Sequence, residues 1–213
     1  MPRAVVISNG FAHDYKACQD LIKGDDFIIC ADGGIKHLLS MDMLPDLWIG
    51  DFDSCKHADL LEKYPDLRSV DTLVLKKDKD ETDTHFCCIK ALEMGYSDIA
   101  IMFAGGGRID HMLSNIHLLE YISKRGAAGT IYDEKNTISL CTGSITIPKQ
   151  RKYLSIIPLD SEVVVHSTKG LLYPLKDFAL PREISMGVSN EITDKTAEIN
   201  LKLGLALIVE SDD

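Results

Sequence analysis

The chain has 213 residues, 45 % of them hydrophobic and 7 % aromatic, with a formal net charge of −10. That is enough material for one large domain or two small ones with their own cores, and too apolar for a disordered chain. The acidic balance argues against a duplex nucleic-acid surface, which needs a basic excess, although metal ions let an acidic chain hold anionic phosphates.

The first apolar run, Arg3–Ser8, reads as a strand. It is too short for the apolar stretch of a secretion signal and ends at Asn9-Gly10, a turn signal. Phe27–Ala31, Leu47–Ile49, Thr72–Leu75 and Asp98–Ala104 are the next strand candidates. They lean on Val and Ile without strict polar alternation, as strands covered on both faces of a parallel sheet do. Helical stretches fall between them at Ile35–Met41, Lys56–Tyr64, Asp83–Met94 and Asp110–Lys124. Asp83–Met94 follows Thr82, a good N-cap, and stops at Gly95. Met112, Ile116, Leu119 and Ile122 recur near helical spacing in the last of them. Strand–helix alternation of this kind predicts an open, Rossmann-like parallel sheet over residues 1–126.

Beyond Gly126 the period changes. Thr130–Tyr132, Asn136–Cys141, Ser144–Ile147, Tyr153–Pro158, Glu162–Ser167, Thr196–Lys202 and Leu205–Val209 are short β-like runs separated by turn residues. Residues 127–213 are therefore expected to form a β-sandwich or barrel. The six cysteines form no C-x-x-C pair and no zinc-finger spacing, which suits free thiols in a reducing cytoplasm. No segment approaches the ~18 apolar residues of a membrane span.

The chemistry lies just after the strands of the first half. The segments there are Ala31-Asp32-Gly33-Gly34, Gly50-Asp51-Phe52-Asp53-Ser54, Asp78-Lys79-Asp80-Glu81-Thr82-Asp83 and Gly105-Gly106-Gly107-Arg108-Ile109-Asp110-His111. Parallel strands bring such segments to one edge, where open α/β sheets bind ligands. Carboxylates crowded together repel, and a divalent cation such as Mg2+ relieves the conflict while keeping positions for substrate phosphates. Asp51 and Asp53 suit a shared ion, with Asp32 and Asp83 next, and Arg108 beside three glycines suits a phosphate oxygen. Each piece has an ordinary alternative. A lone D-x-D is usually a solvated turn, a glycine run usually a loop, and Thr82 with Asp83 an N-cap and a first-turn acid. His111 and Asn115, one turn apart, are most often structural. The joint pattern over four strand ends favours a site.

At these residues the chain resembles the thiamine pyrophosphokinase family. Two further matching motifs lie in the β-rich half, Thr168-Lys169-Gly170-Leu171-Leu172-Tyr173-Pro174-Leu175 and Gly187-Val188-Ser189-Asn190-Glu191, and the six follow the family's order. The resemblance implies an α/β domain at residues 1–126 that binds ATP and Mg2+, and a β-sandwich at 127–213 that binds thiamine and dimerises. It implies a homodimer with the active site at the subunit interface. Asp51, Asp53 and Asp83 match the catalytic aspartates, and Asp32, Asp51, Asp53 and Asp83 the magnesium ligands. Asp32, Gly33, Thr82, Arg108, Asp110, Ser189 and Asn190 match the substrate-binding positions, with Thr82 and Arg108 toward the triphosphate and Asp110, Ser189 and Asn190 toward thiamine. Some members stack an aromatic residue on thiamine near the C-terminus, whereas the single tryptophan here, Trp48, precedes the D-x-D segment and is expected to be structural. Two other readings remain open at this point: a D-x-D glycosyltransferase, and a non-catalytic nucleotide or thiamine sensor on the same scaffold.

Overall fold

The computed structural model describes residues 2–12, 14–52 and 57–213. The chain divides into two units, Met1–Glu134 and Lys135–Asp213. The expected boundary lay at residue 126. The division comes later because Ala128–Tyr132 pairs in parallel with the strand Asp98–Met102 and so stays with the first unit.

In chain order the first unit runs β1 (Ala4–Ile7), α1 (Tyr15–Asp20), β2 (Phe27–Ala31), α2 (Ile35–Ser40), β3 (Leu47–Gly50), α3 (His57–Lys63), β4 (Asp71–Val74), α4 (Asp83–Glu93), β5 (Asp98–Met102), α5 (Ile109–Ser123) and β6 (Ala128–Tyr132). Its strands lie in the order β6-β5-β1-β2-β3-β4, and every adjacent pair is parallel. The central strands are apolar on both faces because helices cover both: all four residues of β1 are buried. Polar Asp71 and Thr72 are tolerated in β4 because it is the edge strand. In α4, Thr84, Cys87, Cys88 and Ala91 recur at helical spacing and are buried. Val5, Ile7, Cys30, Ile35, Leu38, Trp48 and Met102 form one core, where burying each large side chain contributes about 1.5–3 kcal/mol.

Helix α1 was not legible in the residue pattern. It is six residues long with little apolar periodicity, and it starts because the Asp14 carboxylate accepts from the Ala17 N–H at 3.0 Å.

The strand order has a functional consequence. β1 to β4 build outward in one direction, then the chain crosses back through α4, which packs against β1, β2 and β3, to place β5 on the other side of β1. The order therefore reverses between β1 and β5. The loops leaving the carboxyl ends of those two strands part there and open a crevice.

The second unit comprises β7 (Asn136–Cys141), β8 (Ser144–Pro148), β9 (Tyr153–Pro158), β10 (Glu162–Lys169), β11 (Lys176–Pro181), β12 (Asn190–Glu191), β13 (Thr196–Leu203) and β14 (Ala206–Ser211). They form two antiparallel layers, β12-β9-β14-β7 and β11-β10-β13-β8. Leu154, Ile156 and Ile208 from one layer meet Ile147, Val163, Val165 and Ile199 from the other in a single core. Of the two architectures expected, the unit is the sandwich. β11 carries a polar start and a terminal proline, tolerable at a sheet edge and the reason it does not read as a strand.

Candidate active site

A cavity of about 550 Å³ opens at the carboxyl edge of the parallel sheet, at the reversal point. Ser8, Asn9, Gly10 and Phe11 line it from the loop after β1, and Phe103 to Arg108 from the loop after β5. Asp32, Asp51, Lys79, Thr82 and Asp83 close it from the ends of β2, β3 and the segment leading into α4.

Asp32 follows β2 in a single 3-10 turn with a positive φ of 37°, and it is 6 % exposed. Trp48 sits fully buried beneath it, and its Nε1–H donates to the Asp32 carbonyl at 2.9 Å. The tryptophan is structural, as expected, and it fixes the backbone of a site residue. Gly33 lies under the wall: a Cβ there would stand 2.6 Å from Asn9 Nδ2, so a larger residue would displace the Asn9 side chain. Gly10 is held as closely, since a Cβ would lie 2.2 Å from the Gly105 carbonyl oxygen. Thr82 caps α4 by accepting from the His85 N–H at 3.2 Å, and its side chain also borders the cavity. Behind it, Ser8 Oγ and Thr84 Oγ1 are 2.6 Å apart, and Asn115 Nδ2 donates to the Ala104 carbonyl at 2.9 Å.

Lys79 organises the carboxylates. Its Nζ lies 3.0 Å from Asp83 Oδ1 and 3.7 Å from Asp51 Oδ2. Burial by itself would lower Lys79, but hydrogen bonds and charge from Asp83 and Asp51 outweigh it and raise the ammonium above its usual range. Asp83 is pushed upward, chiefly by burial; Lys79 pulls it down, and the charges of Asp32 and Asp51 push it up again. The three aspartates thus feel one another, with an ammonium standing between two of them as a cation. Their donors are all oxygen, which fits a hard divalent ion such as magnesium. Among the described residues, no three His, Cys, Asp or Glu side chains form a ready-made metal cage. Asp53, expected as the second carboxylate of the D-x-D pair, lies outside the described residues.

Residues 18–130 match the family model described as the thiamin pyrophosphokinase catalytic domain, and residues 143–206 match that of its vitamin B1 binding domain. The chain belongs to the thiamin pyrophosphokinase family. A thiamine pyrophosphokinase of Bacillus subtilis is 29 % identical over 191 residues, covering 87 % of each chain. The fold is also that of the crystal structure of thiamine pyrophosphokinase from Bacillus subtilis, with a TM-score of 0.89, 24 % identity and 99 % of both chains covered. A thiamin pyrophosphokinase family protein from Enterococcus faecalis superposes with a TM-score of 0.82 at 25 % identity, again over 99 % of both chains.

Within the thiamin pyrophosphokinase frame, the catalytic-domain match spans Asp32, Asp51, Thr82, Asp83 and Arg108, all on the cavity wall. Arg108 and Asp110 are both well exposed and pair with each other, Nη2 to Oδ2 at 2.5 Å and Nε to Oδ1 at 3.1 Å. That guanidinium holds Asp110 down at about 2, so it is a carboxylate at any neutral pH. Asp110 is not itself on the cavity wall. Ser189 and Asn190 belong to the second unit, inside the vitamin B1 binding match. The Ser189 N–H donates to Ser155 Oγ at 3.0 Å, and the Asn190 amide brackets the Tyr173 backbone, accepting from its N–H at 3.0 Å and donating to its carbonyl at 2.8 Å.

Residue reasoning assigned no role to Ser8, Asn9, Gly10, Phe11, Lys79 or Thr84. The β1 loop was findable, because Asn9-Gly10 follows a strand as the other site segments do. Lys79 lies within the Asp78–Asp83 segment, but only the fold shows that its ammonium reaches Asp51 as well as Asp83 at the start of α4.

Proposed function

We propose that the chain transfers the pyrophosphoryl group of ATP to the primary hydroxyl of thiamine, giving thiamine diphosphate and AMP, in the reaction its family name describes. The observation that carries this is the union of Asp32, Asp51, Lys79 and Asp83 with the glycine-rich loop Gly105–Gly107 around one cavity at the reversal point of a parallel sheet. Polyphosphate chemistry rests on positioning and charge neutralisation, and this wall supplies both.

The thiamine oxygen attacks the β-phosphorus of ATP, the bond from that phosphorus to the α-phosphate oxygen breaks, and AMP leaves. The hydroxyl proton passes to a carboxylate of the cluster. Asp32, Asp51 and Asp83, with Asp53, would hold magnesium, and water and phosphate oxygens would fill its remaining positions. A bound magnesium ion neutralises phosphate charge and orients the triphosphate. Arg108 and Thr82 face the triphosphate, and Lys79 is close enough to the carboxylates to shift onto phosphate. Asp110, Ser189 and Asn190 serve thiamine, whose positive ring is drawn to an acidic protein.

The same reading makes the protein a homodimer with thiamine bound where subunits meet. Supporting it are apolar side chains left exposed in both units: Ile109 and Leu113 on one face of α5, and Tyr173, Met186 and Val188 in the sandwich. A cytoplasmic setting agrees with the five described cysteines, all of them buried. Among the described residues, no helix is long and apolar enough to cross a membrane.

Incubating the purified protein with ATP, MgCl2 and thiamine tests the assignment. The expected products are AMP and thiamine diphosphate in equal amounts. Release of ADP, or no thiamine-dependent AMP, overturns it. The glycosyltransferase alternative gives no role to Lys79 or the Ser189–Asn190 segment.

A further inference from the structure

One buried polar residue ties the cavity wall together from behind. His37, on α2, is 2 % exposed. Its Nε2 lies 3.0 Å from the Gly10 carbonyl oxygen, and its Nδ1 lies 3.0 Å from the Tyr15 hydroxyl. A carbonyl oxygen only accepts, so Nε2 carries the proton, and Nδ1 accepts from Tyr15. The face of the same ring stacks on Phe103, with centroids 4.2 Å apart and planes 13° from parallel. Phe103 has a positive φ of 55°, and its carbonyl accepts the Gly10 N–H at 2.8 Å, while Gly105 O accepts the Phe11 N–H at 3.0 Å. One imidazole therefore grips the loop after β1 by a hydrogen bond and the loop after β5 by its face. It rides on the helix that begins directly after the Asp32 turn.

Burial, the largest influence, lowers His37 to about 4, so the neutral tautomer persists under ordinary conditions. The contacts made by Tyr15 and Gly10 lie before residue 18, where the catalytic-domain match begins.

We propose that His37, oriented by Tyr15, is a positioning residue that seats Gly10 and Phe11 against Phe103–Gly105 and so sets the wall on which ATP binds. The assignment to ATP rests on the kinase reading above. In doubly wound sheets the loops flanking the reversal point are the ones that take a nucleotide. Losing the His37 grip leaves the Asp51–Lys79–Asp83 cluster in place and loosens the opposite wall.

The test uses the full chain with three substitutions. His37→Phe keeps the ring stack and loses both hydrogen bonds. His37→Gln restores an N–H donor near the position of Nε2. Tyr15→Phe keeps the ring and removes only the hydroxyl. Binding of a magnesium complex of a non-hydrolysable ATP analogue is measured by calorimetry without thiamine, beside melting curves and steady-state KM values for both substrates. His37→Phe is expected to weaken the analogue about 5- to 10-fold, as the loss of one or two net hydrogen bonds implies. The thiamine KM should change less than twofold, His37→Gln should recover most of the affinity, and Tyr15→Phe should lose about threefold. Unchanged analogue binding in His37→Phe overturns the proposal. So do equal shifts in both substrates, or a His37→Gln variant no better than His37→Phe. If His37→Phe does not fold, Tyr15→Phe decides: unaltered analogue binding refutes the grip. Failure of the wild-type chain to make AMP would sink the kinase reading instead, since analogue binding is measured without turnover.

Discussion

Replacing Lys79 by methionine tests the electrostatic centre of the site without touching a carboxylate. Methionine keeps an apolar, flexible stem and removes the ammonium. At 3.0 Å from Asp83 and 3.7 Å from Asp51, each contact carries about 5 kcal/mol of gross attraction at an effective dielectric of ~20. Desolvation of the ammonium offsets most of that. The three side chains are 15 %, 14 % and 26 % exposed, so removing the cation leaves two largely buried carboxylates facing each other. Breaking a buried pair in this way costs about 3 kcal/mol. For a chain of this size that is a fall in Tm of roughly 6–12 °C. Differential scanning calorimetry in EDTA reads it directly. Millimolar MgCl2 should then raise the Tm of Lys79→Met more than that of the wild type, because the divalent ion replaces the missing charge. A variant melting within about 2 °C of wild type in EDTA would show that Lys79 does not balance the carboxylates. Equal stabilisation of both proteins by magnesium would show that the ion does not enter between Asp51 and Asp83.

Asp51→Ala should lower kcat by ~10²-fold or more with a native-like melting curve, and near-normal turnover in a coupled AMP assay would remove it from the chemistry. Asp26→Ala strips Arg3 of a carboxylate that its Nε reaches at 3.0 Å and its Nη2 at 3.0 Å, in a pair with side chains only 10 % and 1 % exposed. The unpaired guanidinium should cost about 3–5 kcal/mol in urea unfolding, with little effect on KM. His37 predicts a pH dependence of stability. Its folded pKa, about 4, lies below the ordinary 6.5, so its contribution is complete above pH 6.5 and is lost as pH falls toward 4. That loss should reach roughly 3 kcal/mol, and unfolding of His37→Phe between pH 7 and 4.5 should be flatter than wild type by a comparable amount.

The amino-acid sequence by itself determined the class of each half and most of the site's chemistry. Val/Ile-rich runs alternating with helical stretches gave the parallel sheet, and short runs broken by turn residues gave the antiparallel unit, except that Thr130–Tyr132 was drawn into the parallel sheet beside β5. The residues Asp32, Asp51, Thr82, Asp83 and Arg108 were legible because each follows a strand, and strand ends of a parallel sheet share one edge. Tertiary structure alone decided the order of the strands, and that order puts the reversal between β1 and β5 and makes the Ser8–Phe11 loop half of the cavity. It also joined Lys79 to Asp51, and His37 to Tyr15, Gly10 and Phe103, across separations along the chain that no local period encodes. Short-range patterns set the elements; the sites depend on which ends become neighbours, and that follows from how the helices bury their faces on the sheet.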